Sequence, residues 1–304
     1  MPNNLITIQE YSKEEILGAL ELASKFEKEP NRPILSDKVV ASLFYEPSTR
    51  TKLSFESAAG RLGAKVIGFS DTTVTSETKG ESLRDTIKIV TNYADLIVIR
   101  HPLDGSARFV AEIATVPVIN AGDGTNQHPT QTLLDLYSIL KTQGRLENLQ
   151  ITIVGDLKYG RTVHSLIHAM SHFSPSFIFV SPHELRLPQE YRDFLTSQAI
   201  PFKESSNLEE GIEGASILYM TRVQKERFSD PVEYEKVKES YRLTLPMLKG
   251  ALPNMKILHP LPRVNEIEIA VDDSPHAYYF QQAENGIYVR MAIMASLLLK
   301  RVDF

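Results

Sequence analysis

The sequence predicts an α/β protein with two doubly wound parallel-sheet domains that are linked by a long helix. Short apolar segments of strand length alternate with amphipathic helical segments, which is typical of parallel strands covered by helices on both faces. A polar turn at 144–148 separates two such series. The chain has 304 residues, 42% of them hydrophobic, which is enough for two cores of ordinary size.

The first series begins with an amphipathic helix. Ser12 and Glu15 form a predicted capping box, apolar residues follow at helical spacing, and the helix ends before Pro30. The alternating pattern then predicts four strands, at 39–45, 65–69, 96–100 and 118–120. Each strand is followed by a helix, and these helices are predicted at 51–62, 82–93, 107–114 and 130–142. The last of them, after Pro129, is the predicted link between the domains.

The second series predicts another parallel sheet. Its strands are expected at 151–154, 177–180, 217–220 and 256–259, with helices between them. A C-terminal helix at about 287–301 is apolar enough to be buried, and we expect it to return to the first domain. The first domain would therefore hold residues 1–129 and 286–304, and the second would hold residues 130–285.

Composition excludes several classes of function. The net charge of −5 and the isoelectric point near 5.9 argue against nucleic acid or an anionic membrane as the main partner. Because the chain has no cysteine, disulfides, thiol catalysis and cysteine-ligated metals are excluded. The N-terminus has no signal-peptide pattern, and the most apolar window, 291–299, is shorter than the ~20 residues of a membrane span. These features predict a soluble, cytoplasmic protein.

Four consecutive polar residues mark the most informative stretch of the first domain. Ser48, Thr49, Arg50 and Thr51 follow a predicted strand and open a predicted helix. Backbone N–H groups at a helix N-terminus have no intrahelical partner, and here hydroxyl groups and a guanidinium join them. The segment therefore predicts a socket for phosphate. The alternative is an ordinary helix cap beside a surface arginine.

Two further strand ends in the first domain carry candidate ligands, at the edge where α/β sheets bind small molecules. Arg100 ends a strand, and its planar guanidinium could reach a phosphate oxygen and a carbonyl oxygen together. His128 and Gln131 lie around a helix start, where they could donate hydrogen bonds to a carbonyl oxygen that becomes negative. The alternatives are a solvated arginine and a capping histidine.

The second domain offers candidates for carboxylate binding. Arg161 opens a helix after the loop 155–160, where it could bind a carboxylate bidentately. This loop nearly matches two nucleotide-binding motifs, but Leu157 replaces a required glycine and Arg161 replaces the phosphate-loop lysine. Arg222 and Gln224 alternate after a strand, so both side chains can face one anion. Nucleotide binding at the loop and an exposed polar segment around Arg222 remain the alternatives.

Two more patterns are open to interpretation. His164, His168 and His172 share one helix face at a spacing that could bind a metal, although no carboxylate joins them and a solvated or interface stripe is the alternative. The polar segment 70–81 is long for a loop, and it contains Lys79, a candidate anion ligand.

Several of these segments share their residues and their order with one enzyme family. Over nearly the whole chain they resemble the catalytic chains of aspartate carbamoyltransferase, within the aspartate/ornithine carbamoyltransferase superfamily. The segments that carry the resemblance are FYEPSTRT (44–51), RHP (100–102), AGDGTNQHPTQ (121–131), VGDLKYGRTVHSL (154–166), YMTRVQKER (219–227), HPLPR (259–263) and YFQQA (279–283).

The resemblance implies a carbamoyltransferase fold and a defined reaction. The first domain would bind carbamoyl phosphate and the second would bind L-aspartate. Carbamoyl transfer to the aspartate amino group would give N-carbamoyl-L-aspartate and phosphate, an early committed step of pyrimidine (UMP) biosynthesis. No metal, cofactor or covalent intermediate is implied.

The resemblance also implies roles for individual residues. Phosphate would be bound by Ser48, Thr49, Arg50 and Thr51. The carbamoyl group would contact Thr51, Arg100, His128, Gln131 and the backbone of Pro260 and Leu261. The aspartate carboxylates would be held by Arg161, Arg222 and Gln224. Ser76 and Lys79 would come from a neighbouring subunit, with Lys79 contacting both substrates. The catalytic set would be Arg50, Thr51, Lys79, Arg100, His128 and Gln131.

Three finer expectations accompany these roles. Leu261 and Pro262 are expected to be joined by a cis peptide bond. Glu46 and Arg227 are candidate charges that exchange partners during the catalytic cycle. The segment from Ser76 to Lys79 is one residue shorter than in the best-known bacterial members, which leaves the role of Ser76 open.

The resemblance implies a homotrimer with active sites shared between subunits. The family includes bare trimers and larger assemblies, and this chain resembles the type that pairs with regulatory chains. The nearest rival is ornithine carbamoyltransferase, but that enzyme relies on a cysteine in a His-Cys-Leu-Pro turn. Here the turn is His-Pro-Leu-Pro, and two arginines suit a dicarboxylate. A nucleotide-binding regulatory module and a non-catalytic homologue are the remaining alternatives.

Overall fold

The computed structural model describes residues 3–70, 80–223, 241–299 and 302. The chain divides into two compact units. The first comprises Met1–Tyr137 and Ala283–Phe304, and the second comprises Ser138–Gln282. The limits predicted from the sequence were 129 and 286, so the first division lies eight residues after its predicted limit and the second lies three residues before its own.

The first unit contains a four-stranded parallel sheet of order β2-β1-β3-β4. Its central strands consist mainly of apolar residues and are buried on both faces, as expected for parallel strands covered on each side. The strands are β1 (Val39–Phe44), β2 (Lys65–Phe69), β3 (Leu96–His101) and β4 (Val118–Asp123), and the helices are α1 (Lys13–Lys28), α2 (Thr49–Arg61), α3 (Leu83–Val90) and α4 (Ser106–Ile113).

The capping box predicted at the start of α1 is confirmed. Ser12 Oγ accepts a hydrogen bond from the Glu15 backbone N–H at 3.2 Å, and Glu15 Oε2 accepts one from the Ser12 N–H at 3.0 Å. These bonds satisfy two N–H groups that the helix cannot pair internally. The apolar face of α1, which includes Leu20 and Phe26, is buried.

The second unit contains a five-stranded parallel sheet of order β7-β6-β5-β8-β9. Its core gathers residues from β5, β8 and β9, among them Val154, Leu218 and Ile257. The strands are β5 (Gln150–Val154), β6 (Ser176–Val180), β7 (Phe202–Ser205), β8 (Ile217–Met220) and β9 (Lys256–Leu258), and the helices are α6 (Arg161–Met170), α7 (Gln189–Ser197) and α8 (Leu208–Ile212).

Two helices carry the chain between the units. They are α5 (Pro129–Gln143) and the C-terminal α9 (Tyr279–Leu298), most of which belongs to the first unit. The predicted fold class is therefore confirmed: two parallel α/β sheets, a linking helix and a returning C-terminal helix. None of the described helices is long and apolar enough to cross a membrane.

Two predicted helix starts were wrong, and one strand was not predicted. The terminal helix begins at Tyr279, eight residues before the predicted start, because its first turns are held by the burial of Tyr279 in the core and by the hydrogen bond from the His259 N–H to Gln282 Oε1. Helix α2 begins at Thr49 rather than Thr51. Strand β7 was not predicted, because it is a short edge strand that is only partly buried and lacks a clear apolar pattern.

Each sheet reverses its winding direction once, and this fixes where a ligand can bind. In the first unit the chain leaves β1 towards β2 and leaves β3 towards β4, so the reversal lies between β1 and β3, where Phe44 pairs with Arg100. In the second unit it lies between β5 and β8, where Val154 pairs with Met220. Ligands of open α/β sheets bind at such points, outside the carboxyl ends of the strands.

Two glycine substitutions provide a test of this packing. Gly68 in β2 has a φ of +144°, and a Cβ there would lie 2.0 Å from the Ser42 carbonyl oxygen in β1. Gly68→Ala should therefore push the edge strand outward and lower the free energy of unfolding by roughly 2–4 kcal/mol. Urea unfolding followed by far-UV circular dichroism measures this loss.

Gly18→Ala is the matched control. Gly18 lies inside α1, and a Cβ there would meet no atom within 4 Å. The substitution should raise stability by about 0.5–1 kcal/mol through helix propensity. Similar effects of the two substitutions would contradict the assigned pairing of β1 with β2.

Candidate active site

The predicted phosphate socket lies at the start of α2. Ser48 is the N-cap residue, and within the described part of the chain its side chain makes no capping hydrogen bond. The first turn carries Thr49, Arg50 and Thr51 and has no acidic residue, so nothing in it opposes an anion. The first N–H groups of this 13-residue helix have no intrahelical acceptors. The turn can therefore bind a phosphate through backbone and hydroxyl donors.

Arg100 lies at the end of β3, opposite the last residue of β1. Its side chain is only 11% exposed, and its Nη2 donates to Glu46 Oε1 at 2.5 Å. Its Nη1 donates to the Ala121 carbonyl oxygen at 3.3 Å. A buried guanidinium needs such an anionic partner. Glu46 is therefore paired with the guanidinium that an anionic substrate would need to bind.

The loop after β4 is held by a buried carboxylate. Asp123 Oδ1 accepts from Asn120 Nδ2 at 2.8 Å and from the Gln127 N–H at 3.2 Å. Asp123 Oδ2 accepts from the Gly105 N–H at 2.9 Å. These bonds fix the chain just before His128. Asp123 was not predicted as a functional residue, although it lies in the segment 121–131 that carries the family resemblance.

His128 and Gln131 lie around the first turn of α5, as predicted. The His128 carbonyl oxygen accepts from the Gln131 N–H at 3.0 Å, and both side chains are almost completely buried. Gln131 Nε2 donates to Asp135 Oδ1 at 2.8 Å. Because β1, β3 and β4 are neighbours, Arg100, His128, Gln131 and the α2 start lie along one edge of the sheet.

In the second unit, a hydroxyl group joins the ends of β5 and β8. Thr221 Oγ1 accepts from the Asp156 N–H at 3.0 Å and donates to the Val154 carbonyl oxygen at 3.0 Å. Gly155, with a φ of +116°, permits this approach, since a Cβ there would lie 2.4 Å from the Thr221 carbonyl oxygen. Arg161 at the start of α6 and Arg222 therefore follow neighbouring strand ends.

The loop 155–160 is closed by an apolar side chain. Leu157, at the position where a dinucleotide motif needs glycine, is fully buried. Arg161 is 8% exposed and opens a helix whose first turn contains no acidic residue. The local geometry favours a carboxylate ligand for Arg161 over a pyrophosphate approaching the loop.

The histidine stripe forms part of a helix interface. His164 stacks on Tyr191 of α7 at 4.1 Å between ring centroids and donates its Nε2–H to the Leu157 carbonyl oxygen at 2.8 Å. His168 packs on Phe194 at 4.4 Å. Burial lowers the pKa of His164 and of His168, which keeps both rings neutral near pH 7. Within the described ranges, no cluster of three or more His, Asp or Glu side chains could hold a metal.

The turn at 259–263 is organised by a buried histidine. The Leu261 N–H donates to His259 Nδ1 at 2.7 Å, so the ring proton lies on Nε2, which donates to Glu266 Oε1 at 2.7 Å. Burial lowers the pKa of His259, in agreement with a neutral ring. The Leu261–Pro262 peptide bond is cis, which confirms that expectation, and Leu261 has a φ of +55°.

Arg263 follows this turn and is also paired. Its Nη2 donates to Asp272 Oδ2 at 2.5 Å, and its Nη1 donates to the Tyr279 hydroxyl at 3.1 Å. Hydrogen bonding to Asp272 raises the pKa of Arg263, and the same contact lowers the pKa of Asp272. Asp272 and Glu266 were not predicted, because each lies outside the motif at 259–263 whose residues it bonds.

Four residues singled out from the sequence lie outside the described residues. They are Ser76, Lys79, Gln224 and Arg227. Their expected roles stay predictions.

Two family models match the chain in sequence. One, described as the carbamoyl-P binding domain of aspartate/ornithine carbamoyltransferase, matches residues 3–141. The other, described as the Asp/Orn binding domain of the same family, matches residues 147–297. The chain belongs to the aspartate/ornithine carbamoyltransferase family. The family resemblance inferred from the sequence motifs is thus confirmed.

Relatives within the family are similar over their full length. A protein of Phocaeicola vulgatus, named aspartate carbamoyltransferase catalytic subunit, is 62% identical over 296 residues, covering 97% of this chain and 95% of that protein. A protein of the same name from Chromobacterium violaceum is 52% identical over 299 residues, covering 98% of this chain and 99% of that protein.

Solved structures in the family share the fold. The catalytic subunit of M. jannaschii aspartate transcarbamoylase has a TM-score of 0.90 and 51% identity, covering 97% of this chain and 98% of that one. The Trypanosoma cruzi aspartate transcarbamoylase, solved with carbamoyl phosphate and aspartate, has a TM-score of 0.93 and 33% identity, covering 97% of each chain.

The neutral histidines of the second unit predict a pH dependence of stability. Their pKa values are lowered in the folded chain, so below pH ~6.5 the unfolded chain binds more protons than the folded chain. The free energy of unfolding should therefore be highest above this pH and should fall as the pH is lowered towards 5. His168→Gln should lose less stability over this range, as measured by urea midpoints at pH 7.5 and 5.0.

His172→Gln is the control for this experiment. His172 is the exposed member of the same stripe, and it lies beyond the end of α6. Its substitution should leave the pH dependence unchanged. An equal effect of both substitutions would rule out burial as the cause.

Proposed function

We propose that this chain transfers the carbamoyl group of carbamoyl phosphate to L-aspartate, giving N-carbamoyl-L-aspartate and phosphate. The observation that carries the choice of acceptor is the placement of Arg161 and Arg222 at adjacent strand ends of the second unit. Two guanidinium groups suit an amino acid with two carboxylates and would repel the cationic side chain of ornithine. Relatives named aspartate carbamoyltransferase at 52–62% identity support the same choice.

Carbamoyl phosphate would bind to the first unit. Its phosphate would receive hydrogen bonds from the start of α2, through the hydroxyls of Ser48, Thr49 and Thr51 and the guanidinium of Arg50. Its carbonyl oxygen would accept from Thr51, Arg100 and His128. Arg100 would also contact a phosphate oxygen and would exchange Glu46 for it, so binding replaces one ion pair by another and the guanidinium keeps an anionic partner throughout.

L-aspartate would bind to the second unit. Arg161, Arg222 and Gln224 would hold the two carboxylates, and the backbone of Pro260 and Leu261 would contact the carbamoyl group. The turn that presents Pro260 and Leu261 has a fixed conformation, since the His259 ring bonds both the Leu261 N–H and Glu266. This rigidity suits a turn that must present backbone groups to a substrate.

The chemistry is direct transfer to a nitrogen nucleophile. The neutral amino group of aspartate attacks the carbamoyl carbon, and a C–N bond forms while negative charge develops on the carbonyl oxygen. Arg100, His128 and Thr51 stabilise that charge. The bond between the carbamoyl carbon and the phosphate oxygen then breaks, and phosphate leaves and accepts the amino proton. Alignment of two anions that repel each other in water is the main contribution of the protein.

The complete site would include a second copy of the chain. Ser76 and Lys79 would enter it from a neighbouring subunit of a homotrimer. Several relatives carry the name catalytic subunit, which is consistent with a larger assembly that includes regulatory chains. In functional terms, residues 1–129 and 286–304 would form the carbamoyl phosphate domain and residues 130–285 the aspartate domain.

Carbamoyl transfer assays test the reaction and its acceptor. With carbamoyl phosphate as donor and no added metal, L-aspartate should be carbamoylated and L-ornithine should not. Arg161→Met should raise the KM for aspartate by about two orders of magnitude or more, because a charge-assisted bidentate contact is lost. Binding of carbamoyl phosphate should be unaffected.

Arg145→Met is the matched control for Arg161→Met. Arg145 is exposed in the turn between α5 and β5, and it is not among the proposed substrate ligands. It should leave the KM for aspartate unchanged. Turnover with ornithine instead of aspartate would show that the acceptor is wrong, whereas turnover with neither would refute the reaction.

Complementation between inactive chains tests the shared site. Lys79→Gln and His128→Ala chains should each be inactive alone. If Lys79 acts in a neighbouring subunit, mixed trimers contain some sites with neither substitution, and mixing should restore part of the activity. Mass spectrometry can verify that subunits exchanged. Verified exchange without recovered activity would place each site within one chain.

A further inference from the structure

Two buried charged residues lie near Gln131 in the first unit. Asp135, one turn further along α5, is 0% exposed, and Arg290 of α9 is 3% exposed. Neither residue belongs to the recognised ligand set. Burial of charged groups is costly, so a pair next to a predicted substrate residue calls for a functional explanation. We refer to Asp135 and Arg290 as the Asp135–Arg290 pair.

The contact with Asp135 fixes the orientation of the Gln131 amide. Gln131 Nε2 donates to Asp135 Oδ1 at 2.8 Å. An ionised carboxylate can only accept hydrogen bonds, so the amide must turn its NH2 group towards Asp135. The amide oxygen then lies on the opposite side. Gln131 therefore presents an acceptor, while Arg100 and His128 supply donors at the same sheet edge.

Arg290 maintains the negative charge that this orientation requires. Its guanidinium lies over the Phe55 ring of α2, 4.8 Å from the ring centroid. In the described part of the chain its Nε has no hydrogen-bond partner. Burial lowers the pKa of Arg290 to about 10, and the charge of Asp135 opposes this shift. The guanidinium is thus still cationic near pH 7, and its field favours the carboxylate form of Asp135.

The backbone leaves room for this guanidinium. A Cβ at Gly286, one turn before Arg290, would lie 2.2 Å from Arg290 Nη1. Glycine at this position allows α9 to pack against α5 with the charged group between them. The same guanidinium contacts the middle of α2, whose N-terminus forms the predicted phosphate socket.

We propose that the Asp135–Arg290 pair fixes the Gln131 amide so that its oxygen accepts a hydrogen bond from the amino group of the carbamoyl moiety. The pair thereby selects carbamoyl phosphate over acyl phosphates that lack this N–H group. This inference rests on the proposed function. A site that offers a fixed acceptor rejects an analogue without the donor, because the acceptor is left unpaired. Asp135 and Arg290 are positioning residues, since they act through Gln131.

Acetyl phosphate is the probe, because a methyl group replaces the amino group of carbamoyl phosphate. The measurements are the KM for carbamoyl phosphate and the inhibition constant of acetyl phosphate in the aspartate assay. In Asp135→Asn, the new amide can donate as well as accept, so Gln131 is no longer held in one orientation. The KM for carbamoyl phosphate should rise about tenfold, whereas the inhibition constant should change less than about twofold.

A purely structural role predicts a different result. Distortion of α5 would weaken the binding of carbamoyl phosphate and of acetyl phosphate together. Unchanged binding of both ligands would leave Asp135 without a role. Either outcome overturns the proposal. Gln131→Ala should abolish the same discrimination, and Asp135→Asn added to Gln131→Ala should cause no further change in the ratio of the two constants. A further loss of discrimination in the double variant would place the effect of Asp135 elsewhere.

Arg290→Met provides a second variant if Asp135→Asn does not fold. Without the guanidinium, the buried Asp135 carboxyl takes up a proton and can donate to Gln131. The ratio of the inhibition constant of acetyl phosphate to the KM for carbamoyl phosphate should fall as in Asp135→Asn. An unchanged ratio in the folded variant contradicts the proposal. Absence of turnover in the unsubstituted chain would refute the proposed function. Normal turnover with an unaltered ratio in the variants would refute this inference alone.

Discussion

The ion pair between Arg100 and Glu46 shows the constraint on which the first unit depends. A site for two anionic substrates needs guanidinium groups that are shielded from water, and such groups are unstable without anionic partners. Glu46 supplies that partner while no substrate is bound. Binding can then exchange one anion for another, which keeps the desolvation cost of the guanidinium nearly constant. The strand register that places Arg100 beside the end of β1 makes this exchange possible.

The same constraint accounts for buried carboxylates behind the substrate residues. Asp123 fixes the loop before His128, and Asp135 bonds Gln131. Each carboxylate accepts hydrogen bonds that set the orientation of another group. Preorganised donors stabilise a developing oxyanion without reorganisation during the reaction. Much of the catalytic geometry therefore depends on residues that would not touch a substrate.

The second unit uses neutral histidines for a related purpose. The rings of His164 and His259 each form a hydrogen bond with the backbone of a loop at the carboxyl end of the sheet. Their burial favours the neutral ring, in which one nitrogen donates and the other can accept. A neutral ring can hold a loop without adding charge near the proposed aspartate ligands. The loops at 155–160 and 259–263 are thus fixed mainly by hydrogen bonds.

Local periodicity in the sequence was sufficient to predict both parallel sheets, and the residue types at strand ends indicated anion binding at Ser48–Thr51, Arg100 and Arg161. These features depend on each segment's own pattern of burial and on the polarity of helix starts. Tertiary structure decided which charges interact: Glu46 bonds Arg100, 54 positions apart, and the charge of Asp135 acts on Arg290. It also set the start of α9, where Gln282 bonds the His259 N–H. Periodicity shows which face of an element is buried, whereas these pairings depend on the three-dimensional packing of distant segments.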